Sequence, residues 1–216
     1  MFFDKLVKET SIEQQALVNR PVIQKTLAGD ITLPRYQAFL TQAYHHVKHT
    51  VPLLMACGSR LSDRHYPLQK AIAEYIEEEI GHDLWILNDL EATGVDKESV
   101  RNGVPSIATE VMVAYGYHQI DRVSPLAFFG MVHVLEGTSI ALATQTAGLI
   151  RQSLGLPDSA FSYLTSHGSL DLEHVKFFEQ LMNTLDDPED QQIIIHAAKR
   201  FYHLYGDVLS SIEDAA

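Results

Sequence analysis

The spacing of apolar residues is the feature that most constrains this chain. They recur every three or four positions along several long segments, as on one face of an α-helix, and no segment alternates convincingly between apolar and polar residues. The pattern predicts helices at residues 2–19, 21–28, 33–62, 66–92, 105–121, 124–153, 159–184 and 188–213. Ser124-Pro125 and Asp187-Pro188 each place a capping residue before a helix-starting proline. We therefore expect an all-α fold of about seven long helices, forming a single domain over residues 1–216.

Net charge, cysteine count and hydropathy argue against nucleic-acid binding, a disulfide-bonded fold and membrane insertion. The net charge is −12 without any cluster of Lys or Arg, which argues against a nucleic-acid-binding protein. The single cysteine, Cys57, excludes an intramolecular disulfide and fits a reducing compartment. Residues 1–20 contain no signal-peptide core, and the longest apolar stretch, 125–150, is interrupted by His133 and Glu136. We expect a cytoplasmic protein with neither a membrane nor a nucleic-acid partner.

Three predicted helices carry polar residues where a core-facing stripe should be apolar. In 66–92, Glu79 continues the stripe of Ile72 and Ile76, and His82 follows one turn later. Helix 124–153 is apolar nearly all round, and Glu136 is its one acid. The stripe of 159–184 contains two further polar residues, with a histidine at its edge. The inward-facing candidates are six: Glu79, His82, Glu136, His167, Asp171 and His174.

A buried Glu or His taken singly is more often a satisfied core residue than a metal ligand. The six together favour metal binding, because few basic residues surround them and three carboxylates offset three of the four charges of two ferrous ions. Glu79-Ile-Gly-His82 and Asp171-Leu-Glu-His174 are carboxylate-x-x-His units, which helical bundles use to build dinuclear sites. Glu136 would bridge the two ions, and His167 would add a nitrogen. Iron, manganese or zinc suits these ligands, and the absence of thiolate argues against a closed structural zinc site.

The ordered motifs E-x-x-H, L-E-G and H-x-x-x-D-x-x-H resemble those of the haem-oxygenase-like diiron oxidases and oxygenases. These proteins share a seven-helix fold with the thiaminase-type TenA proteins and the pyrroloquinoline-quinone synthase. The resemblance extends from about the second helix to the last and implies that the six candidates are the metal ligands, with no catalytic residue beyond them. It also implies two iron ions, the second of them labile, an O₂-dependent oxidation of a small molecule, and a homodimer. The family spans fatty-acid decarboxylation, N-oxygenation and formation of p-aminobenzoate, so the resemblance names no substrate.

Departures from the metal-free and haem-binding relatives favour the diiron branch. Haem oxygenases bind haem through a histidine of the first helix, whereas the first histidine here is His45. The thiaminase branch needs a cysteine nucleophile late in the chain, and Cys57 lies too early, so we interpret it as a core residue. The alternative is a metal-free TenA-like or quinone-synthase-like enzyme, or a small-molecule-binding protein, on the same fold. That alternative predicts no stoichiometric metal.

The sequence also suggests where a largely apolar substrate binds. We expect a pocket lined by helices 33–62 and 105–121, with His46, Tyr115 and His118 as candidate lining residues. Asp83 is a candidate for orienting a metal-binding imidazole. His45 and His49 face away from the core stripe of their helix, so we expect them in solvent or at a subunit contact.

Overall fold

The computed structural model describes residues 1 to 213, except for the side chains of residues 141, 144 and 166–174. Throughout this range the regular elements are helical, which confirms the predicted all-α class. The α-helices are α1 (Phe2–Val18), α2 (Pro21–Leu27), α3 (Leu33–Val47), α4 (Thr50–Gly58), α5 (Tyr66–Glu79), α6 (His82–Ala92), α7 (Lys97–Arg101), α8 (Ile107–His118), α9 (Ala127–Leu154), α10 (Ser162–Met182) and α11 (Pro188–Ser210). Short 3₁₀ turns at Asp63–His65 and Asp158–Ala160 and a π-helical turn at Gln119–Val123 complete the described elements.

Two helices predicted as continuous are each divided in two. The prediction of one helix over 33–62 is wrong because α3 ends at Val47 and α4 starts at Thr50. Pro52 explains the division, since proline has no N–H to donate and is tolerated in the first turn of α4 but not inside a longer helix. The predicted helix 66–92 is interrupted after Glu79 by Gly81, whose φ of 93° is left-handed.

The other boundaries differ less from the prediction. Helix 105–121 is shortened to α8 and continues into the π-helical turn, and α9 begins at Ala127, after Ser124 accepts the N–H of Leu126. The short helix α7 was not predicted from the apolar spacing, and Asp96 caps it by accepting a hydrogen bond from the N–H of Glu98. The predicted start of α11 is confirmed, because Asp187 accepts the N–H of Glu189 and Pro188 occupies the first position.

Helix α9 is the centre of the bundle. It packs between α10 and α11, and α11 is flanked in turn by α1 and α8. At Gly130, α9 approaches the backbone of α11 so closely that an added Cβ would lie 2.6 Å from the amide nitrogen of Ala198. Helix α10 also packs against α5 and α6. The helices that carry the six candidate ligands are therefore neighbours.

In the described part of the chain, no single helix is both long and apolar enough to cross a membrane. The two arms of α9, Ala127–Ile140 and Gln145–Leu154, meet at 53° and are long and apolar enough to cross only when they are taken together.

Candidate metal centre and its cavity

A cavity of about 180 Å³ lies beside α9, and we call it the main cavity. Side chains from α2, α3, α4, α5, α9, α10 and α11 form its walls, which are largely apolar. Glu79 and Glu136 are the two carboxylate side chains among the described lining residues. Carboxylates in an apolar cavity are costly to bury unless a ligand, a hydrogen-bond donor or a cation compensates them.

Glu79 and His82 form a hydrogen-bonded pair across the break between α5 and α6. The distance from His82 Nδ1 to Glu79 Oε2 is 3.0 Å, and the side chains are 4% and 12% exposed. Because an ionised carboxylate only accepts hydrogen bonds, Nδ1 carries the proton, which in neutral imidazole leaves the lone pair on Nε2. Carboxylates orient metal-binding histidines in this way. The His82 ring also stacks on Trp85, with ring centroids 4.1 Å apart.

The pKa of Tyr75 is affected by acids on both α5 and α9. Burial raises the pKa of its phenol, and the charges of Glu136, Glu78 and Glu79 raise it further. The phenol therefore stays protonated in the physiological range. Carboxylates from two helices thus lie close enough to affect one buried phenol, and a cation bound beside them would offset their charge.

His46 lines the main cavity from α3, as we expected of that residue. Its ring lies 5.9 Å from that of Tyr205, another lining residue, and burial raises the pKa of the Tyr205 phenol to about 12. The expectation that His45 faces solvent or a subunit contact is wrong, since it is 2% exposed. Helices α6 and α8 both pack on α3, and burial, together with the charge of Lys48, lowers the pKa of His45 to about 4.

The expected contribution of region 105–121 to the pocket is not found. Helix α8 packs on α11 and α3 and supplies no lining residue, while α2, α9 and α11 take its place. Tyr115 packs instead on Phe201, with ring centroids 5.2 Å apart, and His118 is exposed at the end of α8. Asp83 lies in the first turn of α6, directly after His82, and its role in orienting an imidazole stays a prediction.

The six predicted ligands are divided between described and undescribed side chains. Glu79, His82 and Glu136 are described, whereas the side chains of His167, Asp171 and His174 lie outside the described residues. Among side chains that are described, no three His, Cys, Asp or Glu residues come close enough together to hold a metal ion. The predicted ligand set therefore stays a prediction. Its described half includes one hydrogen-bonded carboxylate–imidazole pair, in which His82 is buried and Glu79 is partly exposed.

Asp89 is a residue that the sequence analysis missed, and it positions α10. Its buried carboxylate, on α6, accepts hydrogen bonds from the N–H of Ser162 at 2.9 Å, the N–H of Tyr163 at 2.8 Å and the hydroxyl of Ser162. Burial raises the pKa of Asp89, and these hydrogen bonds counteract the increase. It thus caps the helix that carries three predicted ligands. Its burial could have been inferred from its position, because Asp89 lies one turn after the buried Ile86 on the same side of α6.

Comparison with known proteins places the chain in a family. Residues 37–206 match the model of a family described as iron-containing redox enzymes. The chain belongs to this family. A curated relative, the 4-aminobenzoate synthase of Chlamydia pneumoniae, is 23% identical over 208 residues, which covers 94% of this chain and 92% of the relative.

Solved structures similar to this chain show its fold. A protein from Shewanella denitrificans, a domain of unknown function with a haem-oxygenase-like fold, has a TM-score of 0.86 at 22% identity, covering 99% of this chain and 92% of its own. A TenA homologue from Pseudomonas syringae has a TM-score of 0.83 at 12% identity, and the match covers 99% of this chain and 93% of the homologue. The haem-oxygenase-like fold expected from the motifs is therefore confirmed.

Proposed function

We propose that this protein is a non-haem diiron oxidase or oxygenase that uses O₂ to oxidise a small, largely apolar organic substrate in the main cavity. The observation that carries the proposal is the presence of Glu79 and Glu136 in one largely apolar cavity, with His82 hydrogen-bonded to Glu79. Membership of a family of iron-containing redox enzymes supports the choice of metal. The described side chains offer carboxylate oxygen and imidazole nitrogen atoms, and ferrous iron binds both kinds.

The proposed ligands are the six residues that the motifs suggested. Glu79, His82 and Glu136 would hold iron from α5, α6 and α9, and His167, Asp171 and His174 would complete the site from α10. Manganese or zinc would be the substitutes in iron-poor preparations, and the second ion would be the more weakly held. When bound, iron would supply the electrons that reduce O₂.

The chain's own residues would prepare the cavity for this chemistry. Glu79 accepts the Nδ1 hydrogen of His82 and so fixes the orientation of the imidazole. The raised pKa keeps the Tyr75 phenol protonated beside the carboxylates, so it adds no further negative charge. The apolar walls, which include Phe128, Leu135 and Leu142, exclude water and favour an apolar substrate.

The substrate is to be sought first among aromatic compounds. The Chlamydia pneumoniae relative is named a 4-aminobenzoate synthase, and aromatic side chains such as Phe39, Phe128 and Tyr163 line the main cavity. Aromatic rings pack well against one another in offset or edge-to-face geometry. Formation of 4-aminobenzoate is therefore the first reaction to assay, followed by O₂ consumption with other apolar aromatic compounds.

A matched pair of variants on α5 tests the proposal. Glu79 lines the cavity, whereas Glu77 is exposed two residues earlier on the same helix. We expect Glu79→Gln to lose bound iron and O₂ consumption after expression with added iron, and Glu77→Gln to retain both. Elemental analysis of the purified protein measures the iron independently of any substrate.

Two further variants test the rest of the ligand set. Glu136→Ala and His174→Ala should each lose iron, because one removes the acid of α9 and the other an imidazole of α10. Unchanged metal content in both would refute the site. A wild-type protein that carries no metal, and whose thermal stability does not respond to a chelator, would instead support the metal-free alternative on this fold.

A further inference from the structure

A second cavity lies on another side of α9 and reaches the same carboxylate. It has a volume of about 200 Å³ and lies between α1, α9, α10 and α11. Glu136 lines both this second cavity and the main cavity. The acid is therefore reachable from two directions.

The helical positions of the lining residues show that the two cavities lie on different faces of α9. The second cavity is lined by His133, Gly137 and Ile140, which at about 100° per residue form one narrow stripe. The main cavity is lined by Phe128, Val132, Leu135 and Ser139 among others, on a stripe roughly 100° or more away. Glu136 lies at the boundary between the stripes.

Two polar side chains in the wall of the second cavity, those of Thr10 and His133, are engaged with each other. The Thr10 hydroxyl donates to the carbonyl of Leu6 at 2.8 Å, so towards His133, at 3.3 Å, it can only accept. His133 Nε2 therefore carries the hydrogen of that bond. Burial lowers the pKa of His133 to about 4, so the ring is neutral at physiological pH and offers no positive charge to an anion.

Apolar side chains lie between His133 and the protein surface. Phe3 and Phe178 flank the His133 ring, with ring centroids 6.3 and 6.1 Å from it. Val7, also a lining residue, is 40% exposed and marks the mouth on α1. Glu136 supplies a carboxylate at the inner end of this cavity. A small uncharged apolar molecule can pass these apolar side chains, whereas an anion would lose its hydration without compensation.

We propose that the second cavity is the route by which O₂ reaches Glu136, separately from the organic substrate in the main cavity. The identity of the gas rests on the proposed function, whereas the accessibility of the cavity to a small apolar molecule does not. Separate routes would let the substrate fill the main cavity without blocking the second reactant.

Gly137 is the position on α9 at which a larger side chain would close the route. A Cβ added there would have none of the described atoms within 4 Å, so Gly137→Leu would extend into the second cavity. Gly148→Leu is the matched control, because Gly148 is also on α9, is exposed, and likewise has no described atom within 4 Å of an added Cβ. Val7→Trp would narrow the mouth from α1, far along the chain from every proposed ligand.

Xenon tests accessibility in metal-free protein. Methyl NMR spectra recorded under xenon pressure should show shifts at Val7, Ile140 and Val175, which line the second cavity and not the main one. We expect these shifts in the wild type and in Gly148→Leu, and their loss in Gly137→Leu. Absence of the shifts in the wild type would show that the second cavity is a closed packing defect and would overturn the proposal.

The reaction of the ferrous protein with O₂ tests the role of the route. We expect the second-order rate constant from stopped-flow measurements to fall by about tenfold or more in Gly137→Leu and Val7→Trp, and to be unchanged in Gly148→Leu. Iron content is measured first in each protein. No bound iron in the wild type refutes the proposed function and with it the assignment to O₂, whereas normal iron with unchanged rates in both blocking variants refutes the route alone.

Discussion

The contact between α9 and α11 at Gly130 gives the most direct test of the packing. An alanine Cβ there would lie 2.6 Å from the Ala198 nitrogen, 2.8 Å from the Ala197 Cβ and 2.8 Å from the Ile194 oxygen. To reach 3.4 Å, where ordinary van der Waals contact begins, the nearest pair must separate by about 0.8 Å. Two of the three atoms belong to the backbone of α11 and cannot rotate away, so the helices themselves would have to move.

The expected cost of Gly130→Ala follows from two opposing effects. Inserting a methyl group into a well-packed interface costs about 1–3 kcal/mol, and a clash with backbone belongs at the upper end. Replacing glycine by alanine inside a helix gains about 0.8–1 kcal/mol. The net loss of unfolding free energy is about 2 kcal/mol, which in a protein of this size lowers Tm by roughly 4–8 °C.

Gly148→Ala is the control, because it makes the same substitution on the same helix in open space. Only the gain in helix propensity applies there, so Tm should rise by about 2–4 °C. Urea unfolding of both variants, followed by circular dichroism, measures the two free energies. Equal stability of Gly130→Ala and Gly148→Ala would show that the close approach of α9 and α11 does not exist.

Three further predictions concern buried polar groups. Burial lowers the pKa of His133 to about 4 from an ordinary 6.5, so the unfolded chain binds a proton at a higher pH than the folded protein does. The free energy of unfolding should therefore fall as pH drops from about 6.5 towards 4. His133→Phe should remove up to about 3 kcal/mol of that fall, as measured by unfolding at each pH. Asp89→Ala should cost about 2–3 kcal/mol by leaving the first turn of α10 uncapped, and elemental analysis should show less bound iron. Asp190→Ala should cost about 2 kcal/mol, since the buried carboxylate accepts hydrogen bonds from Arg64 and His65, yet iron content should be unchanged. Retained iron in Asp89→Ala, or lost iron in Asp190→Ala, would contradict the positioning role of Asp89.

The helical class was predictable from sequence because apolar spacing reports the side of a helix that is buried. The division of helices was less predictable from that spacing, since the apolar period continues through both breaks. The residues that indicate the breaks are Pro52 and Gly81. Pro52 has no backbone N–H to donate, and Gly81 adopts a left-handed φ. The burial of His45 was not predictable from its own helix, because α3 is packed by helices distant in sequence, α6 and α8 among them.

Glu79 and His82 lie close together, as their spacing predicted, but they do so on two helices and not on one. The sequence suggested two side chains one turn apart on a continuous helix, whereas α5 ends at Glu79 and α6 begins at His82. The chain breaks at the left-handed Gly81, and His82 Nδ1 nevertheless lies 3.0 Å from Glu79 Oε2. Their relative position therefore depends on the angle between two helices. A metal ion bound by both would join α5 to α6, whereas on one continuous helix it would stabilise that helix alone.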